Sequence, residues 1–287
     1  MAATSARRVF LEKGALVGGG LLLTGPAVAR ASGDANEVLR TLNSLRTIHG
    51  NFSEKEIPEA EVETVLQTSL RAANASNMQS YSIVVTRDRA RMKELCGYAG
   101  SCLMVFCVDY NRSLASARSL GHSYSAEGTE SFVTGAVNTV LCAQTAVIAA
   151  KALGIDSLLT NGIHRGDMER VWRILDLPEQ ACFPLIALVL GYPTSPPEYR
   201  KGRLDGAGVI HRERYHRITP QEAEEITRRY DDPREHLGLV DDWKAGGHAH
   251  YLDWFFKEWV GRRGPLPTGE AQMQRLLKRC GFVDAQK

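Results

Sequence analysis

The sequence predicts a mixed domain of helices and strands, α+β or α/β, followed by a C-terminal extension. Apolar runs at 81–86 and 103–108 have the length and composition of strands. Residues 184–190 are apolar throughout and end at Gly191-Tyr192-Pro193, which is typical of a fully buried strand. Between these runs, 131–153 is long, rich in alanine and apolar on most faces, which predicts a helix that is buried or packed against a second subunit.

The other elements follow in order along the chain. Residues 35–47, and a segment from Pro58 to Leu70, carry apolar residues at helical spacing. Proline suits a first helical turn because its missing N–H has no partner there. A short strand at 155–160 and helices at 167–175, 220–230 and 250–260 complete the set, and the C-terminal extension covers about 204–287.

Residues 1–31 are predicted to be a targeting signal and not part of the fold. Arg7-Arg8 precede Val9-Phe10-Leu11, a glycine-rich apolar stretch follows, and Ala29-Arg30-Ala31 has the pattern of a cleavage site. Paired arginines in this context resemble a twin-arginine signal, so we expect export of a folded protein to the periplasm, with a cytoplasmic location as the alternative. The stretch is too short for a stable membrane span, and the mature domain is expected at 32–287.

Composition narrows the function classes. The 287 residues are 44% hydrophobic and 24% charged, which excludes collagen-like and mostly disordered proteins. Lys and Arg number 35 against 33 Asp and Glu, a net charge of +2 without a basic run, so no nucleic-acid partner is indicated. The six cysteines form no C-x-x-C pair and favour small buried side chains over zinc ligands or disulfides, and no metal site is predicted.

Four separated segments carry residues suited to anions and amides. Arg46-Thr47-Ile48-His49 offers a guanidinium, a hydroxyl and an imidazole, and Lys201-Gly202-Arg203 offers two cations. The turn at 74–79 contains carboxamides that both donate and accept hydrogen bonds, and 160–163 follows a short strand and is expected to expose backbone N–H groups. Together they predict a ligand with a phosphate at one end and a polar heterocycle at the other.

Several of these segments resemble one known family. Leu45-Arg46-Thr47-Ile48-His49, the turn at 73–81 and residues 105–112 resemble the nitroreductase superfamily. Residues 135–154 and Leu188-Val189-Leu190-Gly191-Tyr192-Pro193 are similar to its branch of flavin reductase P and oxygen-insensitive NADPH nitroreductases. That branch has a Lys-Pro-Arg triplet after the strand end, and Lys201-Gly202-Arg203 matches its two cations. The resemblance covers roughly residues 37 to 285.

The resemblance implies an α+β homodimer that holds FMN at the subunit interface, with a nitroreductase-like sheet flanked by helices and a helical C-terminal extension. It assigns Thr47, Lys201 and Arg203 to the FMN phosphate, with Arg46 nearby. It places His49 at the N1–C2=O edge of the flavin ring. The remaining assigned residues are those of the 74–79 turn, on the ribityl chain or ring edge, and a main-chain segment beside flavin N5 and O4: Ser76, Asn77, Gln79, Asn161 and Gly162.

The implied activity is ping-pong two-electron transfer from NAD(P)H or another donor to a small planar acceptor, such as a quinone, nitroaromatic or free flavin. No side chain is required as nucleophile, because the cofactor carries the chemistry. Two departures from the branch stand out: His49 replaces the usual Arg or Lys, and 234–248 lacks the arginine cluster expected for an NADPH 2′-phosphate. The alternatives are a flavin-binding sensor or carrier without turnover, and a structural dimer that has lost its cofactor.

Overall fold

The computed structural model describes residues 36–206, 208–261 and 267–283. Packing divides the chain into two units, Met1–Asn43 and Ser44–Lys287. The first contributes one described helix, α1 (Glu37–Asn43), which lies within the helix predicted at 35–47. The predicted targeting signal at 1–31 lies outside the described residues.

An antiparallel sheet forms the centre of the described part of the second unit. Its strands are β1 (Tyr81–Thr86), β2 (Cys102–Asp109), β3 (Asp156–Thr160) and β4 (Cys182–Gly191), in the order β1-β2-β4-β3. Each neighbouring pair is antiparallel, so the domain is α+β and the α/β alternative is wrong. The four predicted strands are confirmed with boundaries that differ by at most two residues.

Helices cover both faces of the sheet. They are α2 (Glu59–Ser69), α3 (Arg89–Cys96), α4 (Asn111–Ser119), α5 (Thr129–Ala152), α6 (Glu169–Leu175), α7 (Pro220–Asp231), α8 (Tyr251–Trp254) and α9 (Pro267–Arg279). The aromatic helix predicted at 250–260 is α8 continued by a π-helix, Phe255–Val260. Helices α3, α4 and α9 were not predicted, and α2 begins directly after Pro58, which is its N-cap residue.

Strand β2 is the middle of the core. Its residues are buried up to Val108, and successive side chains face opposite sides of the sheet. One core, with α3, α6 and the end of α9, takes Leu103, Val105 and Cys107. The other core, with α2 and α5, takes Cys102, Met104 and Phe106. All six cysteines are buried and unpaired, which confirms the prediction that they are small buried side chains.

Helix α5 has two apolar faces. Nine of its residues are buried against the sheet and α2. A second set of apolar side chains is 41% to 54% exposed: Val133, Val137, Val140 and Leu141. Within the described residues, α5 is the one helix whose length and composition would allow it to cross a membrane, but helices in the cores of soluble proteins share those properties. The expectation of a buried helix is therefore confirmed for one face, and packing of the other face on a second subunit stays a prediction.

A polar network around Glu56 joins the loop before α2 to the start of β2. Ser101 Oγ donates a hydrogen bond to Glu56 Oε2 (2.7 Å), and Arg87 Nη2 donates to the same oxygen (3.1 Å). These hydrogen bonds lower the pKa of Glu56 to about 2, even though its side chain is half-exposed. Arg87 also donates to the carbonyl of Ile57 (2.6 Å), so the network fixes the entry into α2.

Candidate functional site

A cavity of about 500 Å³ lies between the segment at 45–51 and the loop that follows β4. Five of the ten predicted ligand-binding residues line it: Arg46, Thr47, His49, Lys201 and Arg203. The other lining residues are Leu45, Ile48, Asn51, Ser195, Pro196, Pro197, Glu198, Tyr199, Arg200 and Leu239. The lining thus carries four permanent cations and one carboxylate, and its volume falls within the range of about 300–1,000 Å³ that is typical of small-molecule sites.

The first wall of the cavity is tied to the sheet. Thr47 forms a parallel bridge with Ser157 on β3, and the Ile48 N–H donates to the Ser157 carbonyl (3.0 Å). Farther on, Phe52 bridges Pro193 just after β4. Side chains at 46–49 are therefore carried by backbone that extends the sheet, which holds them more rigidly than a free loop would.

The second wall is the segment Lys201-Gly202-Arg203. A Cβ atom on Gly202 would lie 1.9 Å from the Glu235 carbonyl oxygen, so this close approach of two backbones requires glycine. Lys201 Nζ donates to the Gly238 carbonyl (2.5 Å), and Arg203 Nη1 donates to the Gly202 carbonyl (2.7 Å). Neither cation forms an ion pair with any carboxylate in the described part of the chain. Both charges are therefore available to an anionic ligand.

Arg46 is held differently from these two cations. Its Nε and Nη2 donate to the two carboxylate oxygens of Asp156 (3.0 and 2.6 Å), and Lys151 Nζ donates to Asp156 Oδ1 (3.0 Å). Burial alone would raise the pKa of Asp156, but the hydrogen bonds from Arg46 and Lys151 outweigh it and lower that pKa. Asp156 is therefore ionised, and the guanidinium of Arg46 is fixed side-on at the edge of the cavity.

Asn161 and Gly162 lie at the opposite end of β3. Asn161 lines a shallow apolar cavity of about 540 Å³ together with His164, the exposed face of α5 and part of β4. Gly162 is buried, and a Cβ there would lie 2.2 Å from the Cys96 carbonyl oxygen. Its N–H donates to Thr160 Oγ1 (3.0 Å), so the expectation that this N–H is exposed is wrong. The small residue is needed here for packing.

Arg170 fixes the loop that carries Asn161 and Gly162. Its guanidinium donates to five main-chain carbonyls, those of Glu94, Leu95, Gly162, Arg165 and Asp167. His164 Nε2 lies 2.9 Å from the Pro184 carbonyl oxygen, which accepts a hydrogen bond from it, and burial lowers the pKa of His164. The loop is thus tied to α3, α6 and β4 at once.

The turn with Ser76, Asn77 and Gln79 is at the other edge of the sheet, before β1. All three have φ between 51° and 54°, a left-handed conformation that is uncommon for residues other than glycine. Such backbone persists where the surroundings hold it in place. Here the side chain of Asn138 on α5 accepts a hydrogen bond from the Ala75 N–H (2.9 Å). None of the three predicted residues lines the cavity that contains Lys201 and Arg203.

Sequence reasoning missed the residues that hold the predicted ones in place. Asp156 lies 110 residues from Arg46, and Arg170 lies 75 residues from Leu95. Tyr199 also lines the cavity and stacks on His236 at a ring separation of 3.8 Å. Only the fold brings these partners together, so no spacing in the sequence could have indicated them.

No family model matches the chain, but individual proteins do. It is 30% identical over 207 residues to the CR(VI) reductase of Pseudomonas sp. (strain G-1), a match that covers 69% of this chain and 81% of that protein. It is 28% identical over 191 residues to the FMN reductase [NAD(P)H] of Bacillus subtilis (strain 168), covering 63% and 75% of the two chains. The NfrA1 nitroreductase of B. subtilis has the same fold, with a TM-score of 0.71 at 22% identity over 86% of this chain and 99% of that one. The chain belongs to the nitroreductase family, in the group that contains the flavin reductases.

Proposed function

We propose that the chain is an FMN-dependent oxidoreductase that transfers two electrons by a ping-pong mechanism from NAD(P)H or another donor to a quinone, nitroaromatic or flavin acceptor. The observation that carries this proposal is a pair of cations, Lys201 and Arg203, that have no carboxylate partner among the described residues and line a cavity of about 500 Å³. Relatives named FMN reductase and NADPH nitroreductase support it.

The donor set at this cavity fits a phosphate group. Lys201 and Arg203 supply charge, Thr47 supplies a hydroxyl, and Arg46 supplies a guanidinium fixed by Asp156. Arginine and lysine are the residues that most often bind phosphate, arginine through its planar fork of donors. The residues present therefore fit the phosphate end of FMN.

The ring end of the site needs a second subunit. In the register of the sheet, Asp156 on β3 pairs with Gly191 at the end of β4. Tyr81 on β1 pairs with Val108 on β2, which in turn pairs with Phe183 near the start of β4. Strand spacings of about 4.8 Å and rises of about 3.3 Å then place the turn before β1 roughly 30 Å from Arg46 in one chain. We therefore propose that Ser76, Asn77 and Gln79 act on the FMN held by a partner copy.

The exposed face of α5 is the proposed dimer interface. Val133, Val137, Val140 and Leu141 form a contiguous apolar surface on turns of one helix, as a buried contact requires. Among the aromatic residues at 251–259, Tyr251 is buried within its own chain, whereas Phe256 and Trp259 are exposed.

When bound, FMN supplies the redox chemistry by accepting a hydride and passing it on. Lys201, Arg203 and Thr47 bind the phosphate, and Asn161 orients the other end of the cofactor from the far end of β3. His49 lies in the same cavity as these cations. The protein binds and orients the cofactor and supplies an electrostatic field around it, so no nucleophilic side chain is required.

Three measurements on purified protein test this proposal. A visible absorption spectrum with flavin bands is expected, and its absence would support the structural dimer without cofactor. Anaerobic NADH or NADPH should bleach those bands, whereas bands that persist would indicate a sensor or carrier. Parallel double-reciprocal plots with a quinone acceptor are expected from the ping-pong order, and intersecting plots would contradict it.

We also propose export of the folded protein through the twin-arginine route. The support is Arg7-Arg8 and Ala29-Arg30-Ala31 in the sequence, which lie outside the described residues. Replacing both arginines by lysine should retain the precursor in the cytoplasm, as followed by cell fractionation. If the unaltered protein is cytoplasmic and still carries residues 1–31, export is excluded and the alternative location holds.

A further inference from the structure

We propose that Asp156 is a positioning residue for phosphate recognition and that Lys151 is its charge partner. This inference rests on the proposed FMN site. Neither residue lines the cavity, and both act through Arg46, which does. The three side chains come from three elements, the segment before the sheet, the last turn of α5 and the first residue of β3.

The geometry leaves one edge of the Arg46 guanidinium for a ligand. Asp156 engages Nε and Nη2, and Nη1 has no hydrogen-bond partner among the described residues. The side chain of Arg46 is 28% exposed, whereas that of Asp156 is 5% exposed. A buried carboxylate thus fixes the plane of a guanidinium whose remaining edge is accessible, and an arginine immobilised in this way loses less entropy when it binds phosphate.

The charge count explains why Lys151 is needed. Arg46 and Asp156 alone would form a neutral pair, which would attract a phosphate only weakly. Lys151 Nζ lies 3.0 Å from Asp156 Oδ1 and restores a net charge of +1 to the group. Its side chain is 18% exposed, so this compensation is less screened by water than that of a surface pair. The carboxylate therefore orients Arg46 without cancelling the positive field at the cavity.

A comparison of two flavins isolates this effect, because riboflavin lacks the phosphate of FMN. Full-length protein freed of flavin is titrated with each compound by fluorescence quenching, and the preference is the ratio of the two dissociation constants. Asp156→Asn keeps the shape of the side chain and should lower the preference for FMN at least about tenfold, as expected for one charge-assisted hydrogen bond. Lys151→Met should lower it at least about threefold, and Lys151→Arg should restore it.

The matched control is Asp167→Asn, which removes the carboxylate of an exposed pair with Arg173 (3.6 Å) far from the cavity lining. It should leave the preference within about twofold of the wild type. Riboflavin affinity should be unchanged in all variants, which a general loss of folding would not allow. If Asp156→Asn does not fold, the contrast between Lys151→Met and Lys151→Arg decides.

The outcomes separate this inference from the proposed function. A wild type that prefers FMN, with a preference that Asp156→Asn leaves unchanged or raises, overturns the inference and leaves the FMN site intact. If Lys151→Met and Lys151→Arg show the same preference for FMN over riboflavin, the role of Lys151 is overturned. A wild type that binds both flavins equally, or neither, overturns the phosphate site itself and the inference with it.

Discussion

Arg170 should determine the stability of the loop that carries Asn161, and Arg170→Ala is the perturbation that tests this. Two of its five carbonyl partners, those of Leu95 and Gly162, are partly buried and receive bonds of 2.9 and 3.3 Å. The other three acceptors are exposed and can bond to water instead. Loss of a charged donor at two partly buried carbonyls should lower the free energy of unfolding by about 2–3 kcal/mol.

For a unit of this size, that loss corresponds to a fall in Tm of roughly 4–12 °C. Thermal unfolding of flavin-free protein at one fixed concentration measures it, because flavin and dimer formation would otherwise shift Tm. Hydrogen exchange of the peptide at 160–167 should accelerate in the same variant. Arg170→Lys, with three donors in place of five, should fall between the wild type and the alanine variant.

Arg173 provides a control on the same helix. Its pair with Asp167 spans 3.6 Å between side chains that are 67% and 55% exposed, so Arg173→Ala should cost at most about 0.5 kcal/mol. If Arg170→Ala and Arg173→Ala have the same Tm within about 1 °C, or if hydrogen exchange at 160–167 is unchanged, the hydrogen bonds of Arg170 are not what stabilises this loop.

Four further predictions concern the cofactor, acidity and assembly. Arg203→Ala should weaken FMN binding by about 1.5–3 kcal/mol in a fluorescence titration, and an unaltered affinity would contradict the phosphate assignment. His49→Arg places a permanent positive charge at the cavity and should raise the FMN midpoint potential, and an unchanged potential in a potentiometric titration would show that position 49 does not sense the flavin. The pKa of Glu56 is lowered in the fold, so its contribution to stability is present above about pH 4.5 and is lost as the pH falls towards about 2. In acid unfolding, the wild type should therefore lose more stability than Glu56→Gln over that pH range. Equal losses would refute the stabilising role of the hydrogen bonds to Glu56. Val137→Lys on α5 should give a monomer by light scattering. The control Leu120→Lys, which alters an exposed apolar residue away from α5, should leave the oligomeric state unchanged. A dimeric Val137→Lys variant would place the interface elsewhere.

Strands β2 and β4 were predictable because their burial on both faces leaves nearly continuous apolar runs. Helix α5 was predictable for the same reason, since its composition is apolar over several turns. The short helix α3 was missed although Asp88 caps its start through two N–H groups (2.9 and 3.1 Å) and Gly97 ends it with φ of 83°. Eight residues with few apolar positions give too weak a periodic signal, and caps of this kind also occur in turns.

The site was predictable where its chemistry is local in the sequence. Arg46 to His49 and Lys201 to Arg203 each bring their charges within four residues, and the fold places both groups at one cavity. The partners that orient them are distant, as Asp156 is from Arg46. The N–H of Gly162 was misjudged because a buried glycine that permits packing has the same sequence appearance as one that exposes its backbone to a ligand.

The division of the site between two ends of β3 explains why assembly and cofactor binding should be linked. The strand spans about 17 Å, from the Asp156 that fixes Arg46 to the loop of Asn161 that Arg170 fixes, so one subunit contributes residues at both ends of β3 and a partner would complete the ring end. The strained turn at 76–79 is anchored by Asn138, which belongs to the same helix as the exposed apolar face. In the proposed dimer, a partner packed on this helix would bring its own turn towards the open side of the first subunit's site. In the proposed dimer the turn would need no further folding step, because its anchor lies within its own chain.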